Sequence, residues 1–143
     1  MSIHAILDRK GREVITINRN ATLKNAAEPM LKHGIAALSV TSGDTIAGIT
    51  SEREIVHAIA RYGERALAMP VTDILAHGMF SIAPQDSLKH AMNLMTRHRV
   101  RHLPVIADSK LVGIVSIGDI VKRRMDDLEM ESNVLRDAYI AAR

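Results

Sequence analysis

The feature of this sequence that most constrains its fold is an internal repeat. Residues 14–56 match residues 79–121 at a constant shift of 65 positions, without a gap. Glycine and serine stay in step, since residues 48–51 (Gly-Ile-Thr-Ser) correspond to residues 113–116 (Gly-Ile-Val-Ser). A self-match of this length predicts two copies of one supersecondary unit. Each copy is too small to bury a sufficient core alone, so we expect the copies to pack face to face about a pseudo-two-fold axis.

Hydrophobic periodicity and turn residues predict one order of elements in both copies, β-α-β-β-α, and hence a mixed α/β (α+β) fold. In the first copy the expected elements are a strand over 14–17, a helix over 23–33 between Thr22 as N-cap and Gly34, strands over 37–40 and 46–50, and a helix over 52–61. In the second copy they are a strand over 80–82, a helix capped by Asp86 or Ser87, strands over 103–107 and 111–115, and a helix that begins at 117.

Three segments lie outside the repeat. Short helices are expected over 3–9 and 71–75, ahead of each copy, with a linker over 62–70. We divide the chain into a first repeat with the N-terminal helix (1–68), a second repeat (69–125) and a C-terminal tail (126–143). The apolar spacing of the tail predicts a helix, broken near Ser132 and Asn133, that packs on the body or on a partner.

Composition excludes several classes of protein. With no cysteine among 143 residues, the chain has neither disulfides nor a thiolate zinc site. The first residues lack the apolar run of a signal peptide, and no stretch has the length of a membrane span, so we expect a cytoplasmic protein with no membrane partner. The net charge of +3 fits an anionic small ligand as well as nucleic acid.

A hydroxyl and a carboxylate recur at the same point of each copy. Ser116 ends a predicted strand and Asp119 follows on the first turn of the next helix, and Ser51 and Glu54 stand at the matching positions. Serine as helix cap with an acid in the first turn is the structural interpretation. Backbone N–H groups at a helix start also favour an anion, so a binding site is the functional interpretation.

Two stretches of the second copy carry a resemblance. Residues 101–105 (Arg-His-Leu-Pro-Val) and 113–119 (Gly-Ile-Val-Ser-Ile-Gly-Asp) resemble the CBS domain, and two copies in tandem resemble a Bateman module, as in small stand-alone bacterial CBS-pair proteins. The resemblance covers about residues 3–125. The first copy departs from the family pattern at Ser39, where proline is usual, and at Glu54, where aspartate is usual.

The resemblance implies a ligand and roles for the repeated residues. In CBS pairs the hydroxyl meets a phosphate and the aspartate takes the ribose hydroxyls of an adenine nucleotide, and a carboxylate can accept from both hydroxyls of a diol. The ligand expected here is an adenine nucleotide such as AMP, ATP or NAD. The expected ligand-binding residues are Val14, Ile15, Ile35, Ala36, Ala37, Ser51, Arg53, Glu54, Met79, Phe80, Val100, Arg101, His102, Pro104, Ser116 and Asp119.

Unlike residues at matching positions predict two unlike clefts in each chain. We expect Arg101 and His102 to supply cations for phosphate in a cleft built on Ser116 and Asp119. Arg53, at the start of the other helix, can pair with a phosphate through its planar guanidinium group. The small side chains of Ala36 and Ala37 leave room for a base or ribose. The two clefts should therefore differ in affinity or in ligand choice.

The resemblance implies a sensor: a homodimer in which ligand occupancy shifts a conformational or oligomeric equilibrium that an unknown protein partner reads. Two alternatives remain open. The basic run at 97–102 could serve a nucleic-acid-associated protein, although it lacks the aromatic side chains that stack on bases. The chain could also be a structural interaction module that binds no ligand. No catalytic motif pairs a nucleophile with a base, so we expect no enzyme, no catalytic cofactor and no metal site.

Overall fold

The computed structural model describes residues 2–11, 13–75 and 80–142. The helices are α1 (Ile3–Lys10), α2 (Leu23–His33), α3 (Glu52–Tyr62), α4 (Leu88–His98) and α5 (Ile117–Ala141), and the strands are β1 (Thr16–Asn18), β2 (Ala37–Ser42), β3 (Thr45–Ser51), β4 (His102–Ala107) and β5 (Lys110–Ser116). Two short 3-10 helices, Gly63–Ala68 and Val71–Ile74, join the repeats.

The two repeats build matching hairpins, within a three-stranded sheet in the first and a two-stranded sheet in the second. In the first repeat β1 pairs parallel with β2, and β2 pairs antiparallel with β3, with Ala37 opposite Ser51. In the second, β4 pairs antiparallel with β5, with His102 opposite Ser116. Both hairpins carry an irregularity after the same strand position, between Val40 and Thr41 and between Val105 and Ile106. The predicted α+β architecture of two repeats with an N-terminal and a C-terminal helix is confirmed.

Side-chain caps explain where most helices of the repeats begin. Thr22 and Ser116 each accept a hydrogen bond from the backbone three residues on, and the side chain at that third position bonds back in a capping box. Of the two predicted caps for α4, Ser87 is the one that accepts from the backbone N–H of His90. Helix α2 ends, as expected, at Gly34 in the left-handed conformation.

Five predicted elements differ in the structure. Two of them are the short helix expected over 71–75, which is the 3-10 helix Val71–Ile74, and the linker over 62–70, which contains the 3-10 helix Gly63–Ala68. The first strand begins at Thr16 rather than residue 14. No strand forms over 80–82, where a single parallel bridge joins Ile82 to Val105. Helix α5 passes through Ser132 and Asn133 without a break, because both residues cost a helix only a few tenths of a kcal/mol, roughly, and neither Gly nor Pro interrupts it.

Each repeat closes its core with a leucine from the segment that precedes the other repeat. Leu7 of α1 packs with the second repeat, where its Cδ2 lies 2.6 Å from the place a Cβ would take at Gly113 of β5. Leu75, just after the second 3-10 helix, packs in the same way over Gly48 of β3, at 3.2 Å. The two leading segments therefore cross over and tie the repeats together.

Candidate ligand-binding clefts between the repeats

Two clefts lie where the repeats meet, and we name each after its serine. The Ser51 cleft has a volume of about 460 Å³ and is lined by Ala36, Ile49, Ser51, Glu52, Arg53, Glu54, Phe80, Arg99, Val100, Arg101 and His102. The Ser116 cleft has a volume of about 330 Å³ and is lined by Lys10, Glu13, Ile15, Gly34, Ile35, Ala36, Ala37, His102, Ile114 and Ser116.

The two clefts are equivalent under the repeat, and each takes walls from both copies. In the Ser51 cleft one wall comes from the β3–α3 junction, and the facing wall comes from Phe80 and the residues just before β4. In the Ser116 cleft Ser116 and Ile114 face Ile15 and the residues just before β2. A ligand in either cleft would therefore contact both repeats at once.

This arrangement corrects the predicted grouping of cations. The sequence placed Arg101 with Ser116 and Asp119, whereas Arg101 lines the Ser51 cleft and His102 lines both clefts. Of the two cations predicted beside Ser116, His102 is the one that lines its cleft, together with the small side chains of Ala36 and Ala37. The shift of 65 positions identifies equivalent residues in the two repeats. It does not reveal that each serine faces the strand of the other repeat.

The Ser51 cleft is rich in cations. Arg53 comes from the start of α3, while Arg99 and Arg101 approach from the end of α4. Two carboxylates, Glu52 and Glu54, line the same cleft. A site that offers both guanidinium groups and carboxylates can hold a phosphate at one end and hydroxyl groups at the other.

Arg99 is a cleft residue that sequence analysis did not single out. It caps α4 in the left-handed conformation, with φ of 55°, where the first repeat has Gly34. A non-glycine residue in this conformation is uncommon and points to a functional constraint. The signal was present in the repeat alignment, because an arginine there replaces a capping glycine.

Phe80 gives the Ser51 cleft an aromatic wall. Its ring stacks on the imidazole of His98 in the last turn of α4, with ring centroids 3.7 Å apart and an angle of 12° between the planes. At the matching position, the Ser116 cleft has the aliphatic Ile15. Stacking on His98 fixes the orientation of Phe80, so the wall is held in place before any ligand arrives.

The two serine–acid pairs differ in what they do. In the second repeat Asp119 and Ser116 form a capping box, so both side chains bond to backbone N–H groups. In the first repeat the Ser51 hydroxyl donates to the Glu54 carboxylate and makes no side-chain cap. The structural interpretation of capping thus holds for Ser116 and fails for Ser51, whose hydroxyl bonds to Glu54 instead of to a backbone N–H.

Lys10 covers the acid of the second repeat. Its Nζ lies 2.7 Å from Oδ2 of Asp119 and donates to the carbonyl of Ile114 at 2.9 Å. Asp119 lines a smaller neighbouring pocket of about 170 Å³ and is absent from the lining of the Ser116 cleft. Burial alone would raise the pKa of Asp119, but its hydrogen bonds with Lys10 and Ser116 and the charge of Lys10 lower it.

His102 stands between the two clefts. Burial lowers the pKa of its imidazole, and the charges of Lys10 and Arg101 lower it further, while Asp119 and Glu54 act in the opposite direction. The ring is thus favoured in its neutral form. A neutral imidazole can both donate and accept a hydrogen bond, one through each ring nitrogen.

Two of the predicted ligand residues lie away from both clefts. Pro104 is fully buried in β4, where its carbonyl accepts from the backbone of Ile82, so it belongs to the core. Val14 precedes β1 and lines a separate pocket with Thr16, Thr41 and Lys110, and it lines neither cleft. Met79 falls outside the described residues. The other predicted residues line one of the two clefts, apart from Asp119 as described above.

Two kinds of feature are absent from residues 2–11, 13–75 and 80–142. Across these residues no helix combines the length and apolar character needed to cross a membrane. Within the same ranges no three His, Asp or Glu side chains gather closely enough to hold a metal ion.

Comparison with known proteins identifies the family of both repeats. The sequence model of the CBS domain matches residues 9–61 and 71–126. The CBS domain-containing protein YhcV of Bacillus subtilis is 30% identical over 123 residues, which make up 86% of this chain and 87% of YhcV. A CBS-domain containing protein of Agrobacterium tumefaciens superimposes with a TM-score of 0.83 at 34% identity, covering 87% of this chain and 99% of that one.

A more distant structure shares the fold. The CBS domain pair of protein MJ0100, solved in complex with 5′-methylthioadenosine and S-adenosyl-L-methionine, has a TM-score of 0.79 at 22% identity, over 89% of this chain and 98% of that one. The matched segments fall on the two repeats that the sequence predicted. The chain belongs to the CBS domain family and is a tandem pair of CBS repeats.

Proposed function

We propose that this chain is a ligand-sensing regulatory module that binds an adenine nucleotide, of the AMP, ATP or NAD type, in the Ser51 cleft. CBS pairs are regulatory modules, and many bind adenine nucleotides. The observation that carries the proposal is the composition of this cleft: three arginines, two carboxylates and an aromatic wall surround about 460 Å³ between the repeats. That volume lies within the usual range for small-molecule sites.

Each part of an adenine nucleotide has a partner of matching chemistry. Arg53 and Arg101 offer planar donors to phosphate oxygens, and Ser51 lines the same cleft. Glu54 can accept hydrogen bonds from the ribose hydroxyls. Phe80 offers an apolar face to the base or the sugar. The adenosine-containing ligands of the MJ0100 pair support this class of ligand.

The Ser116 cleft is proposed as a second and weaker site. It is smaller and has Ile15 in place of the aromatic wall. Its two basic residues are Lys10 and His102, and the lowered pKa of His102 favours the uncharged imidazole. Its acid, Asp119, is already paired with Lys10. A ligand there would have to displace Lys10 from the carboxylate or bind without its help.

The proposed signal follows from the shared walls. Because each cleft combines both repeats, a ligand that bridges them favours the relative placement of the repeats in which all its contacts are made. The exposed surface of the pair then differs between free and bound states. A protein partner or a second copy of the chain would read that difference.

The test is calorimetric titration of the full chain with AMP, ATP, NAD and adenosine. Arg101→Ala should weaken AMP binding by roughly tenfold to a hundredfold, since a hydrogen bond to a charged group contributes about 1.5–3 kcal/mol. The same variant should leave adenosine affinity nearly unchanged, because adenosine carries no phosphate.

Arg97→Ala is the matched control. Arg97 belongs to the same basic run but is exposed in the last turn of α4 and lines neither cleft. Its removal should not alter AMP affinity. Equal losses in both variants would indicate a general charge effect, and a wild-type chain that binds none of the four compounds would overturn the proposal.

A further inference from the structure

The last helix continues far beyond the body of the protein. The matching helix of the first repeat, α3, ends at Tyr62 before Gly63, but α5 has Leu128 at the position of that glycine and runs on to Ala141. Its 25 residues make it about 37 Å long. Every residue from 128 to 142 is exposed. An exposed helical end of this length is only marginally stable in water by itself, so association with a partner would stabilise it.

The tail has the spacing of a coiled coil. Met125, Leu128, Ser132, Leu135 and Tyr139 follow one another at alternating intervals of three and four residues, which are the a and d positions of a heptad repeat. The four apolar members are 64%, 49%, 71% and 65% exposed. Three other exposed large apolar side chains of the tail, Met130, Val134 and Ile140, lie outside this stripe.

The charges beside the stripe identify the partner as a second copy of the same helix. In this register the g positions are Arg124 and Glu131, and the e positions are Glu129 and Arg136. In a parallel dimer each g residue faces the e residue five positions later on the partner. Arg124 would meet Glu129 of the other copy and Glu131 would meet Arg136, so both of these charged pairs are attractive. Residues five apart do not face each other on one helix, so neither pair can form within a single chain.

The polar member of the stripe favours the parallel orientation. In a parallel, in-register pair Ser132 meets Ser132 of the other copy, and the two hydroxyls can bond to each other. In an antiparallel pair, where a positions face d positions, each Ser132 would be buried against Leu128. An unpartnered buried hydroxyl costs free energy. We propose that two copies of this chain associate through a parallel two-stranded coiled coil formed by residues 125–139 of α5.

Single cysteines test the proposal directly, because the chain has none of its own. Leu135→Cys, at a d position, should cross-link to itself through a disulfide when the full chain is mildly oxidised, so that most of the protein runs as a dimer without reductant. Asp137→Cys, at the outward f position two residues away, is the matched control and should stay monomeric on the same gel. Both positions are exposed, so neither change threatens the core.

Two results would overturn the proposal. One is cross-linking of Leu135→Cys no greater than that of Asp137→Cys. The other is an antiparallel pattern, in which Leu135→Cys cross-links only when mixed with Met125→Cys.

A charge exchange gives an independent readout in analytical ultracentrifugation. Glu131→Arg should weaken the dimer by placing like charges opposite Arg136 of the other copy. The double change Glu131→Arg with Arg136→Glu should restore it. Failure of the double change to recover the affinity lost in the single one would show that these residues do not face each other across an interface.

Discussion

Lys10 and Asp119 form an ion pair, with Nζ 2.7 Å from Oδ2, that joins the first helix to the start of the last one. The same lysine donates to the carbonyl of Ile114 on the neighbouring strand. One side chain from α1 thus holds the end of β5 and the acid of the second repeat. It also neutralises the carboxylate that the family resemblance assigns to the ribose.

Replacing this lysine should change stability and acid titration together. In Lys10→Met the pKa of Asp119 should rise, because burial raises it and the hydrogen bond and charge of Lys10 no longer lower it. A carboxylate whose pKa is lowered in the folded state stabilises the fold above its ordinary pKa of 3.8 and loses that effect as the pH falls through the lowered value. We expect urea unfolding at pH 7 to show a loss of about 0.5–1 kcal/mol, the upper range for a partly exposed pair, and the loss to vanish in strong acid.

Arg9→Met is the control for that experiment. Arg9 lies on the same helix and pairs with Asp126 of α5 at 2.6 Å, on the exposed side. Its removal takes away a cation and an ion pair without touching Asp119. A pH dependence in Arg9→Met equal to that in Lys10→Met would refute the assignment of the effect to Asp119.

His102 should titrate below its ordinary pKa of 6.5, because burial and then the charge of Lys10 lower it. The imidazole therefore binds a proton more readily in the unfolded chain than in the folded one. The free energy of unfolding should fall as the pH drops below about 6.5 toward the folded-state pKa. Observation of the imidazole by NMR measures the pKa directly. It should rise in Lys10→Met, and His102→Gln should remove this part of the pH dependence of unfolding. A pKa at or above 6.5 in the wild type would contradict the prediction.

The buried hydroxyl of Thr50 destabilises β3. It has no hydrogen-bond partner among the described residues, and the matching residue of the second repeat is Val115, also fully buried. An unsatisfied buried donor costs about 1–3 kcal/mol, so Thr50→Val should raise the free energy of unfolding by about 1 kcal/mol. The reverse change, Val115→Thr, should lower it by a similar amount. Chemical denaturation measures both, and a destabilising Thr50→Val would show that the hydroxyl is satisfied.

Neither half of the chain should fold alone. A fragment of residues 1–68 contains Leu7, which belongs to the core of the second repeat, and lacks Leu75, which closes the first. We expect this fragment to show no cooperative thermal transition by circular dichroism. Mixing it with a fragment of residues 69–143 should restore one. A cooperative monomer formed by 1–68 alone would contradict the crossed packing.

The repeat made most of the fold predictable from sequence. The capping of α2 by Thr22, the end of α2 at Gly34 and the two hairpins followed from local patterns that act within a few residues. The strand predicted over 80–82 does not form, because a local pattern does not show whether a neighbouring strand is there to pair with it. A strand needs a neighbour, and only Ile82 bridges one, so the local preference of these residues could not decide its length.

The clefts were predictable in their residues but not in their grouping. Sequence matched Arg101 to Ala36 as equivalent positions, and both do line clefts. Which residues of one repeat face which residues of the other depends on how the two sheets pack. The shift of 65 positions carries no information about that packing. Lys10 was missed as a cleft residue because it lies outside the repeat and reaches Asp119 only through the crossing of α1.

That crossing bears on how such a chain could have arisen. In each repeat, the leucine that packs over the glycine of the strand comes from the segment that precedes the other repeat. A polypeptide with only one repeat could therefore complete its core by pairing with a second molecule of itself. Two such molecules would exchange their leading segments, as Leu7 and Leu75 are exchanged here. Duplication of the gene would then have joined an existing homodimer into one polypeptide. After that joining the two clefts no longer had to be identical, and Arg53 and Gly118, or Glu54 and Asp119, were free to diverge.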